Sequence, residues 1–379
     1  MKKILKPSLV VLTLFLIILG NIFCYIWQNT QDLIQDVPSQ EILHQTWQAY
    51  KQTFIRDGRV LRPKNDDTVS EGQAYAMLRA IVMDDQETFN ELYRFTEEHL
   101  SRRQNFSDHL LAWQWKNGTV YDWMPATDAD VDYALSLILA HRKWKPHNES
   151  KLEAYDIKAS QILKDILQFE TKVIDGRRYL LPWIVKDFAD GIVQNLSYYS
   201  PAHFRLFYEY SDNHAWMELV ETSYQVLNSA LSRFDGNEGK GLLPDWCLIN
   251  SAGEFVHYSD KSSNFGWDAI RIPFRIAADE HYFKSKEAQE ILVKMHRFFN
   301  DEYQKKQKIF IAYNYQGRVV NRQENALFYA GYYLIFKDRE PDIAIKLLLR
   351  TRRFLNKQWL YHNTFEYFIN SLAWIPEYL

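Results

Sequence analysis

Ser70-Glu71-Gly72-Gln73-Ala74-Tyr75 and Ala126-Thr127-Asp128-Ala129-Asp130, whose first acids stand about 57 residues apart, are the two stretches whose reading decides the fold. Each puts a carboxylate where a loop gives way to apolar residues at helical spacing. After the second, Val131, Ala134, Leu135, Ile138 and Leu139 keep one face of a helix apolar. Working outward, the same spacing persists almost everywhere beyond Pro38, and alternating strands are few. The pattern predicts helices over about 39–55, 70–83, 86–100, 128–144, 151–170, 200–210, 214–233, 267–281, 285–302, 324–337, 340–357 and 364–375. Twelve helices joined alternately by short turns and long loops predict an all-α chain folded as an (α/α)6 toroid of six inner and six outer helices. An α-solenoid is the competing architecture, but the sequence carries no repeat of fixed period.

The long loops 101–127, 171–199 and 234–266 are rich in aromatic residues and precede helices that a short turn follows. In an alternating toroid they emerge on one face, at the N-terminal ends of one helix layer. Glu71, Asp128 and Asp268 sit at such ends, and Ser200-Pro201 starts another helix of the same layer. Acids spread over about 200 residues of sequence thus converge on one cleft.

Two carboxylates on one rigid surface in unlike surroundings are what acid/base cleavage of a glycosidic bond requires. By residue type alone, Glu71 is equally a first-turn carboxylate favoured by the helix dipole, an arrangement worth about 0.3–1 kcal/mol. To act as an acid near neutral pH it needs burial or a neighbouring carboxylate to raise its pKa. Asp128 and Asp130 both suit an N-cap, and two positions apart they cannot face the same sugar. Asp268 and Arg271 read equally as an i,i+3 ion pair worth about 0.2–0.5 kcal/mol. Pro273 is tolerable only near a helix start, which places Asp268 beside the cleft face. Trp113, Trp115, Trp123, Tyr198, Tyr199 and Trp267 are candidate platforms for sugar rings.

Composition agrees. The 379 residues are 47 % hydrophobic, enough for a large core in one or two domains, and the net charge of -3 offers nothing to a nucleic acid. Aromatic residues make up 16 %, which fits a helical core with a surplus for a sugar-binding cleft. The histidines form no metal-ligand spacing, no Gly-rich phosphate loop is present, and no cofactor or metal is expected. Cys24 and Cys247 make no disulfide framework.

Lys2, Lys3 and Lys6 precede an uncharged stretch from Pro7 to about Trp27. At roughly 20 residues it is long enough to cross a bilayer core of about 30 Å. No small-x-small cleavage pattern follows, so residues 1–27 read as an uncleaved signal anchor, with secretion after cleavage as the alternative. The positive flank stays cytoplasmic and puts a tether, 28–38, and a catalytic domain, 39–379, outside the cell.

The acidic segments resemble the signature regions of glycoside hydrolase family 8. The second matches closely, continuing through Ala134, Ser136, Ala140 and Trp144, although Tyr133 stands where the family usually has Ile or Met. Four segments match in order: Ser70–Gln73, Ala126–Asp130, Ser197–Ala202 and Phe265–Pro273. The resemblance implies an (α/α)6 barrel in which Glu71 donates the proton, Asp128 contacts the sugar at the cleavage point and Asp268 activates water with the support of Arg271. Asp130 is left as structural. It implies an inverting, endo-acting hydrolase of a β-linked, β-1,4-glucan-like polysaccharide; the membrane topology adds the cell's own exopolysaccharide as the other substrate, and the chain is expected as a monomer. Relatives with xylan or chitosan as substrate are alternatives within the family. A non-catalytic glycan-binding or assembly protein on the same fold and a polysaccharide lyase are the rivals from other classes.

Overall fold

The computed structural model describes residues 37–144, 154–186, 188 and 191–379. Among the described residues, twelve helices of six residues or more alternate between two layers. They are α1 (Ser39–Phe54), α2 (Ser70–Val82), α3 (Gln86–His99), α4 (Thr127–Trp144), α5 (Tyr155–Phe169), α6 (Pro201–Ser211), α7 (Ala215–Ser232), α8 (Ile272–Phe283), α9 (Lys286–Lys306), α10 (Ala326–Phe336), α11 (Pro341–Arg352) and α12 (Tyr367–Leu372). Each even-numbered helix packs on the next even one, and α12 closes the ring on α2. Each odd-numbered helix leans on an even-numbered neighbour from outside.

The sequence explains the layering. In α10, Ala-Leu-Phe-Tyr-Ala-Gly-Tyr-Tyr-Leu-Ile-Phe, every residue except Tyr333 is buried, as a helix apolar all round demands. In α9 the buried residues recur as Ala288, Ile291, Leu292, Met295, Phe299, Glu302 and Tyr303, one stripe on an otherwise charged helix. That stripe marks an outer helix. Ring closure is local chemistry between distant residues. The Arg79 guanidinium donates to the Asn370 carbonyl at 3.2 Å, and Ser39 Oγ donates to Glu377 Oε2 at 2.7 Å. Arg352 donates to both Glu377 and the Val37 carbonyl.

The helix starting near 267 departs from expectation. Residues Ala269–Arg271 form a 3-10 turn and the α-helix proper begins at Ile272, because Pro273 in the first turn has no N–H to extend the ladder backward. The loops also carry more strand than the sequence suggests. Strands of two to four residues form small antiparallel sheets, including Asp67–Val69 with Gln114–Lys116 and Thr119–Asp122, and Ile192–Gln194 with Cys247–Ile249 and Phe255–Val256. Residues 1–36, including the expected membrane segment, lie outside the described residues. Among the described residues no helix is long and apolar enough to cross a membrane.

Candidate active site

Glu71 occupies the first turn of α2, whose entry is fixed by a sheet. Val69 pairs with Gln114, and Ser70 N–H donates to the Trp113 carbonyl at 3.0 Å. That register brings the Trp113 indole N–H to Glu71 Oε1 at 3.2 Å. Gln73, two residues on, serves the fold: its amide accepts from Val60 N–H and donates to the Gly58 carbonyl and Thr96 Oγ1. The Glu71 carboxyl is raised from 4.5 to about 7. Burial is the main cause and the Asp128 charge the second. They outweigh a hydrogen bond to the backbone, the Arg271 charge and the Trp113 indole. The helix N-terminus therefore loses to desolvation, as an acid working near neutrality needs.

Arg271 organises the other two acids. From the 3-10 turn before α8 its guanidinium donates to Asp128 Oδ2 and to Asp268 Oδ1 (2.6 Å), and it meets the Tyr75 hydroxyl at 3.2 Å. The same group lies 5.2 Å over the Tyr198 ring. Asp128, in the first turn of α4, is 1 % exposed, and its Oδ1 has no hydrogen-bond partner in the protein. Burial raises its carboxyl despite Arg271. Asp268 keeps a third of its side chain exposed, so the two acids held by one arginine live in unlike surroundings.

Asp130 points elsewhere, accepting Leu111 N–H at 2.9 Å and thereby pinning the loop that carries Trp113. Trp267 is 43 % exposed, edge-on to Phe328 and tilted against Phe368. Trp123 packs against Phe106, and its carbonyl is held by Arg102. Two expected platforms stand apart. Tyr199 is 1 % exposed and its hydroxyl bonds Gln194 and Leu180 N–H, which leaves no face for a sugar. Trp115 is wedged among Phe95, His99 and the Arg59 guanidinium. Among the described residues no group of three or more His, Cys, Asp or Glu side chains could hold a metal ion.

The sequence profile of Glycosyl hydrolases family 8 matches residues 30–312. The chain belongs to this family. Endoglucanase 2 of Ruminiclostridium josui is 30 % identical to this family 8 chain over 275 residues, 69 % of the chain and 55 % of the relative. The chain thus matches only about half the length of that relative. An endo-1,4-D-glucanase from Vibrio fischeri ES114 superposes with a TM-score of 0.74 at 24 % identity, covering 88 % of this chain and 93 % of its own. A β-1,3-1,4-glucanase from Paenibacillus sp. X4 gives 0.76 at 20 % identity, covering 90 % and 93 %. At these identities the superpositions establish the helical toroid.

Several residues packed around these acids escaped the sequence reading. Arg275 and Asp132 form a bidentate pair one helical turn beneath Arg271 and Asp128. Trp246 donates its indole N–H to Asp268 Oδ2 at 2.9 Å. Asp245 Oδ1 accepts both Asp268 N–H (2.9 Å) and Ala269 N–H (2.8 Å). The usable signals were the i,i+4 repeat of Asp128/Asp132 and Arg271/Arg275, and an Asp-Trp pair inside a long cleft-face loop.

Proposed function

We propose that this family 8 chain is an inverting, endo-acting glycoside hydrolase of a β-linked, glucan-like polysaccharide. One observation carries the reading: a half-buried glutamate raised to about 7 shares a site with an aspartate that keeps a third of its side chain exposed and whose oxygens each accept one N–H. The first can hold a proton for the leaving oxygen, and the second keeps lone pairs free for water. Glu71 protonates the glycosidic oxygen as the bond to the anomeric carbon lengthens. Asp268 takes a proton from the water that attacks the opposite face. Asp128, paired with Arg271, faces the positive charge that develops on the ring. A water between base and sugar calls for carboxyl groups roughly 6.5–9.5 Å apart, against about 5–5.5 Å in a retaining pair. The names of the relatives support a glucan as substrate.

The basic flank and apolar span of residues 1–27 support a single-pass anchor with the catalytic domain outside the cell. An enzyme tethered there is suited to trimming exopolysaccharide made at its own surface. The decisive experiment follows the first product by proton NMR before mutarotation, using a soluble β-glucan. The α-anomer should appear first, and initial release of the β-anomer would defeat the scheme and the role of Asp268. Reducing-end assays on cellulose derivatives, xylan, chitosan and the host's exopolysaccharide would rank substrates. Binding without any release would transfer the case to a glycan-binding protein.

A further inference from the structure

Asp268 starts a helical segment, and an aspartate there ordinarily turns its carboxylate back to cap the free N–H groups of the first turn. Here it makes no such cap. The N–H groups of residues 268 and 269 go instead to Asp245, 23 and 24 residues upstream. Asp245 is 6 % exposed and is held in turn by its own N–H on the Asn264 carbonyl at 2.7 Å. Gly266 permits the approach, since a Cβ there would stand 2.6 Å from Asp245 Oδ2. The next residue completes the arrangement from the other side. Trp246, its N–H fixed to the Ser262 carbonyl at 2.9 Å, packs its ring against Trp183 and Tyr198 and aims the indole N–H at Asp268 Oδ2.

Resting on the assignment of Asp268 as base, we infer that the dipeptide Asp245–Trp246 is a two-point clamp that positions Asp268 for activating water. Asp245 relieves the base of capping duty and fixes its main chain. Trp246 and Arg271 each bond one carboxylate oxygen, so the plane of the carboxylate is set and one lone pair of each oxygen remains for the water. Both members act through Asp268 and are positioning residues, not catalytic ones.

Three variants of the full chain test this. Trp246→Phe keeps the ring packing and removes the N–H, so kcat should fall about 10-fold or more. Asp245→Ala orphans two N–H groups and lets the base shift, with kcat down about 10²-fold. Asp245→Asn retains the acceptor oxygen and should recover kcat to within about threefold of wild type. In each case KM and affinity for a soluble β-glucan oligosaccharide should stay within about twofold, because no substrate contact is removed. If Asp245→Ala does not fold, Trp246→Phe carries the test alone. Wild-type kcat in whichever of Trp246→Phe and Asp245→Ala fold, beside an inactive Asp268→Asn, would overturn the clamp and leave the base standing. Activity in Asp268→Asn would bring down the base assignment, and the clamp with it.

Discussion

Glu71→Gln isolates the proton from the side chain's shape. The amide oxygen can still accept the Trp113 indole, but the variant has nothing to donate and nothing to titrate. In the wild type the native carboxyl titrates at about 7 and the unfolded one near 4.5. Between those values the native state holds a proton that the unfolded state has released, so stability falls as pH rises. The contribution is fully present below 4.5 and gone above about 7. At 1.36 kcal/mol per pH unit the loss across that interval is about 3 kcal/mol. The variant escapes it. Its stability relative to wild type should therefore improve by about 3 kcal/mol between pH 4 and pH 8, measured by urea unfolding at fixed pH. Turnover should meanwhile drop about 10²–10⁴-fold with glycan affinity kept. A stability difference that stays flat with pH would mean Glu71 titrates as an ordinary surface acid. Activity within about tenfold of wild type would remove it from the acid role.

Arg271→Lys replaces a fork that reaches Asp128, Asp268 and Tyr75 with a point charge, and kcat should fall about 10²-fold as the base loses its register. Steady-state kinetics checks this, and a variant with wild-type kcat would deny the arginine its organising part. Asp130 and Glu170 are both fully buried, and burial raises each well above the usual carboxylate range. A carboxyl raised in the folded state weakens the fold as pH rises above the unfolded value, so Glu170→Gln should gain stability over wild type at pH 8 but not at pH 4. Thermal melts at the two pH values decide it, and the opposite trend would refute the raised carboxyl at Glu170.

Much of this was readable from the residues. Outer helices such as α9 announce themselves by a stripe of period 3.6. An eleven-residue apolar run like α10 has no stripe, yet is too long for an ordinary buried strand. The loop strands were invisible because a period of two cannot show itself in two to four residues. Glu71, Asp128 and Asp268 drew notice at helix starts, but position alone left each open to a capping or ion-pair role, and it was the resemblance that singled them out with Arg271. Asp245 and Trp246 did not, because their significance lies in bonds to a segment more than 20 residues away. Tyr199 and Trp115 show the converse. An aromatic residue beside a cleft loop reads the same whether it turns toward solvent or into the core, and only packing decides.

The ring closes through residues almost the whole chain apart: the Ser39–Glu377 hydrogen bond spans 338 positions, and α12 supplies Tyr367 beside Glu71. Folding is thereby tied to synthesis. Helices α1 to α11 can form and pair as they emerge, but Tyr367, which stands beside Glu71, arrives only with α12. A nascent or truncated chain lacking α12 would hold Glu71, Asp128 and Asp268 in a ring still open between α10 and α2. Closure of the ring would come in one late step instead of accumulating helix by helix.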